Sequence, residues 1–257
     1  IRDRDVTGVQ TCALPICSRS ALLDSRTQAS GGFYTMSAFP HAHYLKGAHE
    51  PPQFVTDTGA EVCFGGRSNA GKSSAINAIT QRAGLARTSK TPGHTQLVNF
   101  FELEPGRRLV DLPGYGFAKV PRPLQDHWKK LLEAYFRDRN SLKALFLIVD
   151  VRRGLGEQDL QMVGFARGCG RAVHVLLTKA DKLTRNQGAS ALAAVRRELG
   201  QAATPQLLSA TAKTGVDEAR KVLRAFLREK SPAGDMPPPG QTNRPTGDGP
   251  DESCRGG

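Results

Sequence analysis

Apolar positions along the chain fall into short runs separated by polar, helix-forming stretches, and the period changes from run to run. Ala144–Asp150 (ALFLIVD) and Ala172–Leu177 (AVHVLL) are almost continuously apolar, the pattern of strands buried on both faces. Glu61–Phe64 and Gln206–Ser209 read as shorter strands. Gln96–Leu103 and Arg108–Leu112 read as a strand pair joined by the hairpin-type turn Glu104-Pro105-Gly106. Helices are predicted over Lys72–Ile79, Leu124–Arg137, Glu157–Arg167, Ala189–Leu199 and Val216–Lys230. Pro121 and Pro123 suit the start of the second, and Gly168, Gly170 and Gly200 suit the ends of the third and fourth. Strands alternating with helices predict an α/β fold, a mostly parallel central sheet with helices on both faces.

The ends of the chain do not share this pattern. Residues 1–32 are read as a leader outside the fold. Val6–Ile16 (VTGVQTCALPI) resembles the translation of a sequencing-library adapter, and no charged region leads into an apolar one as in a secretory signal. Residues 231–257 are rich in Pro, Gly and polar groups and are expected to be a disordered tail. The span 33–230 is then one domain, a fitting size for much of a 257-residue chain. No run reaches about 18 apolar residues, so no membrane insertion is expected.

Charge adds a partner class. The chain carries 36 Lys and Arg against 24 Asp and Glu, and residues 36–231 hold 30 and 17 of these, net +13. A basic folded domain points to a polyanion such as RNA. The five cysteines (Cys12, Cys17, Cys63, Cys169, Cys254) form no CxxC pair. That usage suits a reduced, cytoplasmic protein with neither a disulfide framework nor a zinc site.

Gly66-Arg67-Ser68-Asn69-Ala70-Gly71-Lys72-Ser73 fits GxxxxGK[ST] between a predicted strand and a predicted helix. That context marks a P-loop NTPase. The glycines let backbone N–H groups turn inward around an anion, and the helix start adds its positive end. Lys72 would reach the β- and γ-phosphates, and Ser73 would offer a hydroxyl to Mg²⁺. Asp111-Leu112-Pro113-Gly114 ends a strand, where ligands of open α/β sheets bind. Asp111 would hold Mg²⁺ through a water, and the Gly114 N–H would approach the γ-phosphate. A second Mg²⁺ ligand is expected from the polar loop 86–97. Thr88, Thr91 and Thr95 are equal candidates by chemistry.

Thr178-Lys179-Ala180-Asp181 follows the strand Ala172–Leu177. Guanine presents two adjacent donors that one carboxylate accepts together, and adenine does not. Asp181 is therefore the expected base reader, with the stem of Lys179 covering the base. The hydroxyl of Thr178, where Asn is more usual, could tie this loop to the phosphate cradle. A backbone N–H of Ser209–Lys213 could reach guanine O6.

GRSNAGKSSAINAIT, TSKTPGHTQLVNFF, DLPGYGFAKV, TKADKL and SATAKTGVDE, in this order, resemble the five motifs of the EngB/YihA/YsxC family of bacterial GTPases, translation-factor-like proteins with a Ras-like G domain. The resemblance spans about Phe33 to Arg228. It implies that Gly66–Ser73 bind the phosphates and that Gly93, His94, Thr95, Gln96 and Leu97 form switch I. By the same resemblance Thr95 joins Ser73 on Mg²⁺, Asp111–Gly114 open switch II, Thr178, Lys179, Ala180 and Asp181 read guanine, and Leu208, Ser209 and Ala210 support the base. Lys72 and Thr95 are the candidate catalytic groups. The implied function is GTP hydrolysis by a monomeric cytoplasmic switch in large ribosomal subunit assembly, with a link to division septation. The alternative is a P-loop ATPase or kinase acting on a small molecule.

Two residues depart from the family pattern. His94 stands where Arg or Lys is usual, and Gly65 where a small residue such as Ala or Val is common. Beyond Gly114 the motif reads Tyr115-Gly116-Phe117, with no Gln to orient water. Unassisted hydrolysis is therefore expected on the order of 10⁻³ s⁻¹. Asn69 has the position at which some related GTPases help bind K⁺. Lys119, Arg122, Lys129, Lys130, Arg137 and Arg139 with Trp128 form the candidate partner surface.

Overall fold

The computed structural model describes residues 38–86, 97–116 and 122–228, all within the compact unit Met36–Gly257. Residues 1–37, 87–96, 117–121 and 229–257 lie outside the described residues, and with them the expected leader 1–32 and tail 231–257.

Among the described residues seven strands form one sheet: β1 (His43–Ala48), β2 (Ala60–Gly66), β3 (Val98–Glu104), β4 (Arg107–Asp111), β5 (Leu142–Asp150), β6 (Ala172–Thr178) and β7 (Thr204–Leu207). Their order is β1-β3-β4-β2-β5-β6-β7. The pairs from β4 to β7 are parallel, and only β1–β3 and β3–β4 are antiparallel. Among the described residues five α-helices accompany them: α1 (Lys72–Thr80), α2 (Arg122–Asp138), α3 (Glu157–Gly168), α4 (Arg185–Leu199) and α5 (Val216–Arg228).

Strand alternation splits the core in two. In β2 and β5, Val62, Phe64, Ala144, Phe146 and Ile148 face α1 and α5, where Ile76, Ile79, Leu223 and Leu227 cover them. Cys63, Leu145, Leu147 and Val149 face the other way, onto α2, α3 and α4 through Leu131, Tyr135, Phe136, Val163, Val195 and Leu199. Residues i and i+2 share one face of a strand, so a buried strand must be apolar at every position. This is the expected α/β architecture, with helices on both faces. Cys63 behaves as a small buried hydrophobe, and burial raises its thiol pKa.

The sequence pattern does not mark strand β1. It is an edge strand whose first four residues are exposed, and its register slips between Tyr44 and Lys46. No apolar alternation marks it. Such irregular edges resist pairing with other chains.

At the sheet end away from the phosphate motif, Glu61 is fully buried. It accepts from Arg108 Nε at 2.6 Å, from Arg139 Nε and Nη2 at 2.6 Å each, and from Tyr135 OH at 3.0 Å. The Arg139 guanidinium also lies 5.2 Å from the Phe100 ring centre. Arg139 thus serves the core rather than the candidate partner surface. Trp128 is likewise turned inward, because Trp128, Leu131, Leu132, Tyr135 and Phe136 fall on one helical stripe. Of that surface, Lys129, Lys130 and Arg137 are exposed. Lys119 and the Arg122 side chain lie outside the described residues.

Candidate functional site

The site is built on the carboxyl ends of parallel strands. β2 runs into the anion loop Gly66–Gly71, and α1 opens at Lys72. Two glycines make the turn. A Cβ on Gly66 would stand 2.5 Å from the carbonyl oxygen of Ile148, and Gly71 has φ +100° in the N-cap position of α1. L-residues with side chains rarely adopt that φ. Ala70 is buried beneath the loop, and Ser73 sits half-buried in the first turn of α1.

Asp111 ends β4 almost fully buried, and Lys72 Nζ donates to its Oδ1. The ammonium therefore lies beside both the anion loop and the acid. Beyond Asp111, Leu112 N–H donates to Phe64 O at 2.9 Å, and Pro113 is buried. A Cβ on Gly114 would lie 3.5 Å from the Ser68 backbone. Tyr115 N–H donates to Gly66 O at 3.3 Å, and Ser68 N–H donates to Tyr115 O at 3.0 Å. The start of this segment is thus docked along the anion loop. Tyr115 OH donates to Asp159 Oδ1 at 2.6 Å, and Asp159 is fully buried at the start of α3. Burial, then the Asp159 charge, pushes the Tyr115 phenol well above its ordinary pKa.

The loop Thr178–Asp181 closes the other side. Thr178 Oγ1 donates to Ala70 O, and lies 3.0 Å from Val149 O. Lys179 takes a left-handed backbone (φ 60°) and sends Nζ to Asn69 O at 2.8 Å and to Asp150 Oδ2 at 2.9 Å. Ala180 N–H donates to Leu208 O at 3.2 Å, joining this loop to the segment after β7. Ser209 is buried and donates through Oγ to Asp181 Oδ1 at 2.7 Å. That hydrogen bond is the main reason the Asp181 carboxyl lies below its usual pKa. Ala210 follows, half-buried. Lys182 Nζ lies 3.3 Å from the other Asp181 oxygen, Oδ2, so both oxygens have a partner at the rim; a carboxylate placed there still has lone pairs for two parallel N–H donors.

Sequence reasoning passed over Asp150. It is an acid at the end of a strand, the same signal that drew attention to Asp111. Gly93, His94, Thr95 and Gln96 lie outside the described residues, as do Thr88 and Thr91. Leu97 is half-buried just before β3.

The probable GTP-binding protein EngB of Stenotrophomonas maltophilia (strain K279a) is 50% identical over 190 residues, 72% of this chain and 95% of that protein. Its counterpart in Xanthomonas euvesicatoria pv. vesicatoria (strain 85-10) is 50% identical over 190 residues, 72% of this chain and 92% of that protein. The chain belongs to the EngB family of GTP-binding proteins. Residues 61–179 match the family model described as 50S ribosome-binding GTPase. A crystal structure of a probable GTP-binding protein engB shares the fold at TM-score 0.54 and 23% identity, covering 66% of this chain and 100% of that one. A structure of Era in complex with MgGDPNP and nucleotides 1506–1542 of 16S ribosomal RNA shares it at TM-score 0.54 and 18% identity, covering 70% and 61%. The EngB-family chain is a P-loop GTPase that converts GTP and water to GDP and phosphate.

GTPases of this fold bind GTP or GDP, usually with Mg²⁺. The residues present fit that ion. Ser73 and Asp111 offer only hard oxygen donors, which Mg²⁺ prefers. Among the described residues no group of three His, Cys, Asp or Glu could hold a metal by itself. Such a sparse donor set suits an ion coordinated mainly by phosphate oxygens and water. No helix among the described residues is long and apolar enough to cross a membrane.

Proposed function

We propose that this EngB-family GTPase is a nucleotide-controlled switch in assembly of the large ribosomal subunit, acting as a cytoplasmic monomer. The observation that carries the nucleotide part is the convergence of Lys72, Asp111 and Asp181 on one rim of the sheet, tied together by Thr178 and Lys179. In this reading the backbone of Gly66–Ser73 wraps the phosphates. Lys72 releases Asp111 to meet the β- and γ-oxygens. Ser73 and Thr95 would hold Mg²⁺, Asp111 would do so through a water, and the ion would supply positive charge against the phosphates. Gly93–Leu97 form switch I and Asp111–Gly114 open switch II. Asp181 reads the guanine edge while Leu208–Ala210 support it.

Positioning and charge neutralisation supply the catalysis. Unassisted turnover is slow, on the order of 10⁻³ s⁻¹, because no Gln follows Gly114 to orient water. Asn69 stands where a K⁺ ion could add positive charge beside the phosphates. Faster hydrolysis in KCl than in NaCl at matched ionic strength is the expected result, and equal rates would remove K⁺ from the mechanism.

Support for the ribosomal partner comes from the family description and from the net +13 of residues 36–231; Era, similar in fold and solved with 16S ribosomal RNA of the small subunit, supports RNA as the partner's chemical class alone. Lys129, Lys130 and Arg137 are the exposed remainder of the proposed contact face. Sedimentation of the protein with large subunits in GTP and in GDP tests the reading. Tighter co-sedimentation in GTP is expected. Binding that ignores the nucleotide overturns the switch, and no binding at all favours a septation role independent of ribosomes. Preference for ATP in competition would overturn the GTPase reading in favour of a small-molecule ATPase or kinase.

A further inference from the structure

Lys179 is pinned at its far end by two acceptors. One is the carbonyl of Asn69 in the anion loop, at 2.8 Å. The other is the Asp150 carboxylate at the end of β5, at 2.9 Å. A lysine stem is flexible, and holding it in one rotamer costs side-chain entropy. A stem that is to cover a base must therefore be fixed at its head. The neutral carbonyl accepts one of three N–H donors, whereas the carboxylate adds a charge-assisted bond of roughly twice the strength.

Asp150 is itself immobilised. Arg152 grips both of its oxygens, Nε to Oδ1 at 2.9 Å and Nη2 to Oδ2 at 2.7 Å. The Arg152 backbone N–H adds a third bond to Oδ1 at 3.1 Å. Asp150 is only 5% exposed, so it persists as a charge only while its partners stay in place. Arg152 and Lys179 accordingly hold its carboxyl below the usual carboxylate range, Arg152 first. No backbone turn needs Lys179 as a partner, because the Asp150 oxygens already accept from the Arg152 N–H. The Lys179 bond links two different loops across the rim.

We infer that Asp150 is a positioning residue for guanine-nucleotide binding, acting through Lys179 to lock the base-reading loop against the anion loop. It touches neither base nor phosphate. Its effect is to pre-pay the ordering of Lys179, and the kinetic consequence falls on nucleotide release. The inference rests on the placement of the base against Lys179 proposed above.

The test is a double-mutant cycle on the rate of release of a fluorescent GDP from the full chain. Asp150→Ala and Lys179→Ala are each expected to speed release about tenfold, the scale of a hydrogen bond to a charged group. The double variant is expected to release no faster than Lys179→Ala alone. Asp150→Asn, which keeps the shape and an acceptor, covers the case in which Asp150→Ala does not fold, and should lie between wild type and Asp150→Ala. Multiplying effects in the double variant, or wild-type release from both Asp150 variants beside a fast Lys179→Ala, would overturn the inference and leave the base loop's role intact. Unchanged release from Lys179→Ala would overturn that role and the inference with it.

Discussion

Ser209 donates its hydroxyl hydrogen to Asp181 Oδ1 at 2.7 Å and in turn accepts from the Ala212 N–H at 3.0 Å. The serine is buried, so the carboxylate it grips cannot rotate freely. Asp181 therefore presents a fixed pair of lone-pair directions at the mouth of the site. Asp181→Asn replaces one acceptor by a donor and should invert the preference of the pocket. The expected outcome is a loss of GTP affinity of at least about 100-fold with a gain for xanthosine triphosphate, against a discrimination of ~10⁴-fold or more that such a bond can supply. Competition binding with GTP, xanthosine triphosphate and ATP reads it. Undiminished GTP preference would mean that Asp181 does not face the base.

Breaking the Glu61 cluster should destabilise the protein from the sheet end opposite Lys72 and Asp181. Glu61 is fully buried and shared by Arg108, Arg139 and Tyr135. Arg139→Ala leaves much of that charge uncompensated and is expected to cost about 3–5 kcal/mol in urea unfolding. Arg139→Lys keeps the charge but not the fork, and should recover only part. Lys130→Ala, at an exposed position of α2, should stay within ~0.5 kcal/mol. Equal behaviour of Arg139→Ala and Lys130→Ala would contradict the buried cluster.

The difference between those two positions marks the limit of what could be read in the sequence. Charge and helical period identify α2 and its outward lysines, but Arg139 lies just past the helix end, where no period applies. Its partner Glu61 is 78 residues away, so only the folded sheet brings them together. The same holds for Asp150, whose tie to Lys179 depends on β5 and β6 lying side by side. By contrast, the α/β order and the strand-end positions of Gly66, Asp111 and Thr178 follow from local signals, namely buried apolar runs and glycine turns. Strand β1 lacked such a signal because both its exposure and its bulge remove the alternation.

His174 makes stability depend on pH. It is buried in β6, with Nδ1 2.7 Å from Thr204 Oγ1 and Nε2 2.9 Å from Gln206 Oε1. Burial holds its pKa below the ordinary 6.5. Between that depressed value and 6.5 the unfolded chain binds more proton than the folded one, so stability rises with pH. This contribution is complete above about pH 6.5 and is lost as pH falls below it, by at most ~1.4 kcal/mol per pH unit. Urea unfolding from pH 7.5 to 5.0 should show the slope, and His174→Gln should flatten it. An unchanged slope in that variant would assign the effect to other groups.

Gly65 offers a gain rather than a loss. It lies fully inside β2, between Phe64 and the close-approach Gly66, and its φ is not in the left-handed region. Glycine there carries the entropy cost of a flexible unfolded chain with no side chain to pack. A Cβ would stand 3.3 Å from Leu145 Cδ1 and 3.7 Å from Leu112 Cδ1. Both neighbours are side-chain methyl groups, and the first needs to yield by only a few tenths of an ångström. Gly65→Ala is therefore expected to raise stability by about 0.4–1 kcal/mol. Gly66→Ala, whose Cβ would stand 2.5 Å from the rigid carbonyl oxygen of Ile148, should instead destabilise and weaken nucleotide binding. Measuring both midpoints in urea separates entropy from contact. A destabilised Gly65→Ala would show that Leu145 cannot move and that the core beneath the anion loop is already full.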